Sequence, residues 1–107
     1  MPFLVIDTWY PAEIAADIVK KWLEARAAFP FDQTLGKETI MAITHADSTG
    51  LHGLAVYESK EGKLDELYAR TSSALFSMAM PNFHWEITVY SSLAESMPRL
   101  GMEPPEE

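Results

Sequence analysis

The chain has 107 residues, 48% of them hydrophobic, which is enough for one domain with a modest core. It contains no cysteine, so disulfides, thiolate nucleophiles and cysteine-ligated zinc or iron–sulfur sites are excluded. Sixteen acidic against eight basic side chains give a net charge of -8, a field that repels a phosphate backbone, and nucleic acid is not an expected partner.

The first run, "PFLVIDTWY", is β-rich and apolar on both alternating sets. Phe3, Val5, Asp7 and Trp9 share one face; Leu4, Ile6, Thr8 and Tyr10 share the other. A strand of this kind is covered on both faces. Asp7 is the local anomaly, because a carboxylate in such a strand needs a partner or a raised pKa. Pro11 suits the first turn of a helix, and through "PAEIAADIVKKWLEARAAF" the residues Ile14, Ile18, Trp22, Ala25 and Phe29 recur at helical spacing until Pro30 stops them.

"FDQTLG" reads as a loop, and Glu38 to Ala46 followed by Leu51 to Tyr57 reads as a hairpin closed by Asp47-Ser48-Thr49-Gly50. That turn places His45 opposite His52 on one face. The turn signal in "ESKEGK" leads into a second amphipathic helix, "LDELYARTSSALFSMAM", which Pro81 and Asn82 break. The last strand, "FHWEITVY", alternates cleanly, with Phe83, Trp85, Ile87 and Val89 against His84, Glu86, Thr88 and Tyr90. Ser92 three residues before Glu95 is a capping box for a short final helix, and Gly101 is placed as its terminator.

The order β-α-β-β-α-β predicts an α+β, ferredoxin-like domain over residues 1–102, followed by a disordered acidic tail at 103–107. In that fold a four-stranded antiparallel sheet in the order 4-1-3-2 carries two helices on one face. The other face is left bare, and a second copy of the chain is the natural cover. A homodimer is therefore the expected state, with higher association left open. No apolar run approaches bilayer-spanning length, and "MPFLVIDTWY" has neither a basic leader nor a cleavage site, so a soluble cytoplasmic protein without a membrane partner is expected.

In its run of elements, in "YESKEGKLDELYART" and in "FHWEITVYSSLAESMPRLGM", the chain resembles the dimeric α+β barrel superfamily, of the antibiotic-biosynthesis-monooxygenase or stress-responsive type. Asn82 stands where a glycine is common in that superfamily, and Asn tolerates left-handed backbone. The resemblance implies two sheets packed face to face and a small-molecule pocket between the sheet and the helices of each protomer. It implies chemistry less strongly, since the superfamily holds cofactor-independent monooxygenases, isomerases and ligand-sensing domains.

The candidate site residues follow from these readings. Asp7 and His84 are candidate proton carriers for a cofactor-independent oxidation or isomerisation, and Trp9, Tyr57, Trp85, Glu86 and Tyr90 are candidate contacts for a small apolar or aromatic molecule. Trp22, Tyr68 and Phe76 compete with Trp9 and Tyr57 for the lining of a helix-facing pocket. No glycine-rich phosphate loop or dinucleotide fingerprint is present, and no cofactor is expected. Two further readings stand beside the ligand-binding one: a non-catalytic oligomerisation module, and a metal-binding protein using the His45/His52 pair. Nothing in the residues decides between an enzyme and a binding protein.

Overall fold

The computed structural model describes residues 1–103; the tail expected to be disordered lies, from residue 104 on, outside the described residues. Four strands form one antiparallel sheet: β1 (Phe3–Tyr10), β2 (Gly36–Asp47), β3 (Gly50–Ser59) and β4 (His84–Tyr90), in the order β2-β3-β1-β4. Helix α1 (Ala15–Ala28) connects β1 to β2, α2 (Leu64–Ser77) connects β3 to β4, and a short α3 (Leu93–Ser96) with a following 3-10 turn (Met97–Leu100) ends the described chain. This is the expected ferredoxin-like arrangement.

Local chemistry accounts for the boundaries. The chain leaves Pro11 through a single 3-10 turn, Ala12–Ile14, before α1 begins. The hairpin turn is closed by Asp47, whose Oδ1 accepts hydrogen bonds from the backbone N–H and the hydroxyl of Thr49, while Gly50 takes a φ of 133°. Those two donors hold the Asp47 carboxyl below its ordinary value, the hydroxyl bond contributing most. Asn82 turns the chain into β4 with a φ of 68°, the left-handed backbone anticipated for it. The Ser92/Glu95 capping box is formed in both directions, and Gly101 closes the last turn at a φ of 73°.

The core lies between the sheet and the two long helices. Leu4, Ile6 and Tyr10 of β1 point into it and meet Ile18 and Ala25 of α1, Leu67 and Leu75 of α2, and Met78 and Phe83. Leu4 has no exposed surface at all. The molecule is 20 Å through its shortest dimension, the thickness of one sheet and one helix layer. Among the described residues, none forms a covering layer over the second face of the sheet.

The pairing register sets out that bare face as four rows across β2, β3, β1 and β4. His45, His52, Trp9 and His84 form the first; Ile43, Leu54, Asp7 and Glu86 the second. Ile40, Val56, Val5 and Thr88 form the third, and Lys37, Glu58, Phe3 and Tyr90 the fourth. Irregularities between Glu38 and Ile40 and between Ile40 and Ile43 bend β2, the free edge on that side.

Candidate functional site

Between α1, α2 and the sheet lies a cleft of about 370 Å³, in the size range of small-molecule sites. Strand alternation sends Ile6, Thr8, Ala55 and Tyr57 into it, while the i, i+3, i+4 face of α1 supplies Ile18, Val19, Trp22, Ala25, Arg26 and Phe29. Phe31, from the loop after α1, meets the Tyr57 ring edge-on at 5.0 Å. Helix α2 closes the far wall with Leu67, Thr71, Ala74 and Leu75. The cleft opens over β2, whose Met41 is half-exposed.

Its polar groups gather at two places. At one end the Arg26 guanidinium donates two bonds to the Glu38 carboxylate, at 2.8 and 3.1 Å, and lies 5.3 Å over the Trp22 ring. The hydrogen bond to Glu38 raises the Arg26 pKa, and the pair is neutral as a unit. Beside it, burial pushes the Tyr57 phenol up, with the Glu38 charge adding to the effect and the Arg26 charge opposing it. Tyr57 thus stays a neutral hydroxyl through physiological pH, able to donate to an oxygen of a bound molecule. Arg70, which lines the cleft together with Asp32, donates to the Pro30 carbonyl at 3.2 and 2.8 Å, tying α2 to the loop that carries Phe31.

The second polar place is on the sheet. Gly53 sits opposite both Thr8 and Thr44, and a Cβ at Gly53 would run into the Thr8 hydroxyl. The missing side chain lets that hydroxyl lie flat against β3 and exposes the cleft floor.

The opposite face holds a different group of polar residues. His52 Nε2 donates to Asp7 Oδ1 at 2.7 Å, and the His52 ring lies flat on Trp9, with centroids 5.1 Å apart and planes 7° from parallel. These two attachments draw His52 toward β1. His45, its cross-strand neighbour, lies instead 4.0 Å from Asp47 through Nδ1. Among the described residues, no three His, Cys, Asp or Glu side chains come together in a way that could hold a metal ion.

The expected site residues are therefore divided between the two faces of the sheet. Tyr57 lines the cleft; Asp7, His84, Trp9, Glu86 and Tyr90 lie on the bare face. Trp85 points to the helix side but packs edge-on against Phe76 at 5.1 Å, outside the cleft lining. Of the competing aromatics, Trp22 lines the cleft, while Tyr68 and Phe76 are exposed on α2. Sequence reasoning missed the Arg26–Glu38 clamp, Phe31 and the Thr8–Gly53–Thr44 floor. Two signals pointed to them: Arg26 stands one helical turn after Trp22, and Gly53 interrupts a β-rich run.

No protein-family model matches the chain, and no curated protein matches it. Solved structures share its fold. The de novo designed protein Foldit4 superposes with a TM-score of 0.55 at 11% identity, over 85% of this chain and 97% of its own. The crystal structure of a "putative monooxygenase from Shewanella loihica PV-4" superposes with a TM-score of 0.54 at 16% identity, over 86% of this chain and 94% of its own. At these identities the likeness is one of fold, and that a designed protein shares it shows that function has to be argued from the site.

Proposed function

We propose that the chain is a homodimeric α+β barrel protein that binds a small, largely apolar or aromatic molecule in the cleft between its helices and its sheet. The cleft itself carries this reading: about 370 Å³ lined by Trp22, Phe29, Phe31 and Tyr57, with the Tyr57 hydroxyl, Arg26 paired to Glu38, Asp32 and Arg70 among its few polar groups. With Arg26 paired to Glu38, and Asp32 and Arg70 carrying opposite charges, the lining has no net charge and favours an uncharged ligand. The name of the Shewanella protein, a monooxygenase, is consistent with an oxidation as one activity for a protein of this fold. In that case Tyr57 would position the substrate, since Asp7 and His84 lie on the other side of the sheet.

The dimer half of the reading is supported by the uncovered face. Its middle rows carry the aliphatic Ile40, Ile43, Val5, Leu54 and Val56 beside Asp7, Glu86 and Thr88, and Trp9 and Tyr90 stand half-exposed at its ends. Native mass spectrometry of untagged protein tests both halves. A dimer that carries an organic mass, and releases it more readily when Tyr57 is changed to Phe, supports the reading. A dimer that carries nothing and shows no thermal shift with a panel of aromatic compounds overturns the ligand half, leaving an assembly module.

A further inference from the structure

We infer that the cleft holds its ligand at both ends, and that Thr71 of α2 and Thr8 of β1 are the specificity-determining residues that read an oxygen function at the end away from Tyr57. The inference rests on the ligand-binding reading above and names the class of molecule. It is an uncharged, elongated, mostly apolar compound with a carbonyl or hydroxyl oxygen at each end.

Thr71 is a hydroxyl at a core position. Helical spacing sets it on one stripe of α2 with Leu67 and Leu75, all three buried, and Thr71 is only 9% exposed. A serine or threonine in a helix commonly returns its hydroxyl to a carbonyl one turn back. The exposed serines of the same helix do so, Ser73 donating to the Ala69 carbonyl and Ser77 to the Ala74 carbonyl. Thr71 makes no such bond, nor one to any other described residue. Among the described residues no buried side-chain oxygen is both sealed in and unpartnered, so the Thr71 hydroxyl borders open space, and the space that Thr71 lines is the cleft. A free hydroxyl on an otherwise apolar stripe is a hydrogen-bonding group directed at what fills the cavity.

Thr8 repeats this arrangement on the floor. It lines the cleft, its hydroxyl lies over Gly53, and it too bonds to no other described residue. A Cβ at position 53 would take the place of that oxygen, so the glycine is what leaves room for it. A threonine hydroxyl both donates and accepts and carries no charge. Two of them suit a neutral carbonyl or hydroxyl oxygen and give an anion nothing to pair with.

The direction of the elements sets the spacing. Helix α2 starts beyond the Ser59 end of β3 and delivers the chain to β4 at His84, so Thr71, at its middle, stands between the level of Tyr57 and the level of Thr8. Thr8 is in register with Gly53, four residues before Tyr57 on β3, which separates the two levels by about 13 Å along the strand. A molecule that reaches both Tyr57 and the threonines is therefore long, and Trp22 and Ala55 flank its apolar middle.

Isothermal titration of two probes tests the inference: para,para′-biphenol, with a hydroxyl at each end, and para-phenylphenol, with one. Wild type is expected to bind the biphenol about fivefold more tightly. Thr8→Val combined with Thr71→Val, which keeps the shape and removes both hydroxyls, is expected to cut that preference to below about twofold. Its thermal midpoint should not fall, because no protein hydrogen bond is lost. Thr71→Ser retains the hydroxyl and should retain the preference, while Tyr57→Phe should weaken both probes. An unchanged preference in the double valine variant, or equal binding of the two probes by wild type, overturns the inference and leaves the ligand-binding reading standing. A fall of several degrees in the thermal midpoint with Thr71→Val alone assigns that hydroxyl to the fold and overturns its role in recognition. If neither probe binds wild type, the ligand-binding reading falls for this class of molecule and the inference falls with it.

Discussion

Asp7 and His52 are joined across the diagonal of the β1–β3 pair, Oδ1 to Nε2 at 2.7 Å. Asp7 is in register with Leu54, and His52, two residues earlier, shares its face, so the carboxylate reaches along the strand rather than straight across it. The contact answers the anomaly of an aspartate in an apolar strand with a partner from the same chain. Trp9 fixes the other side of the imidazole by stacking.

A double-mutant cycle over Asp7→Asn and His52→Phe is expected to give a coupling energy of about 1 kcal/mol, read from urea denaturation. The figure is modest because the His52 side chain is 41% exposed and water screens the pair. A coupling near zero would mean that the stacking on Trp9, and not the carboxylate, holds the ring.

Gly53→Ala is expected to lower stability by about 1–3 kcal/mol, since its Cβ collides with the Thr8 hydroxyl across the β1–β3 pair. Combining it with Thr8→Ala removes the colliding oxygen and is expected to recover most of the loss. Thermal unfolding of the two single variants and the double variant checks this.

Leu4→Ala should cost about 2–5 kcal/mol, because Leu4 is wholly enclosed beneath the helices and its removal leaves a cavity. Val89→Ala, on the same side of the sheet at the β4 edge but half-exposed, should cost far less. Comparable losses from the two would contradict the placement of the core.

Tyr57 is expected to ionise above the ordinary phenol value of 10.0, by absorbance titration near 295 nm, with Tyr57→Phe removing a late-titrating component. Its raised value contributes stability that is complete below pH 10 and is lost as pH rises through the folded value. Wild type should therefore lose stability in alkali more steeply than Tyr57→Phe. A bound molecule accepting from the phenol would delay the ionisation further.

How much of this was legible beforehand varied with the range of the interaction. Periodicity and punctuation determined the elements: Pro30 and Pro81 end the helical patterns, Asp47 to Gly50 closes the hairpin, and Ser92 with Glu95 caps α3, all choices made within a few residues of chain. Alternation likewise told which residues share a face, because the two-residue period of a strand is a property of the backbone alone. Which face the helices cover was not contained in that pattern, since β1 is apolar on both sides. Packing decided it, placing Leu4, Ile6 and Tyr10 inside and leaving Phe3, Val5, Asp7 and Trp9 outside. That one decision put Tyr57 in the cleft and separated it from Asp7, Trp9, His84, Glu86 and Tyr90. The cleft's other polar groups, Arg26 with Glu38 and Thr8 over Gly53, depend on the docking of α1 over β2 and β3 and on strand register, which bring distant residues together only once the chain has folded.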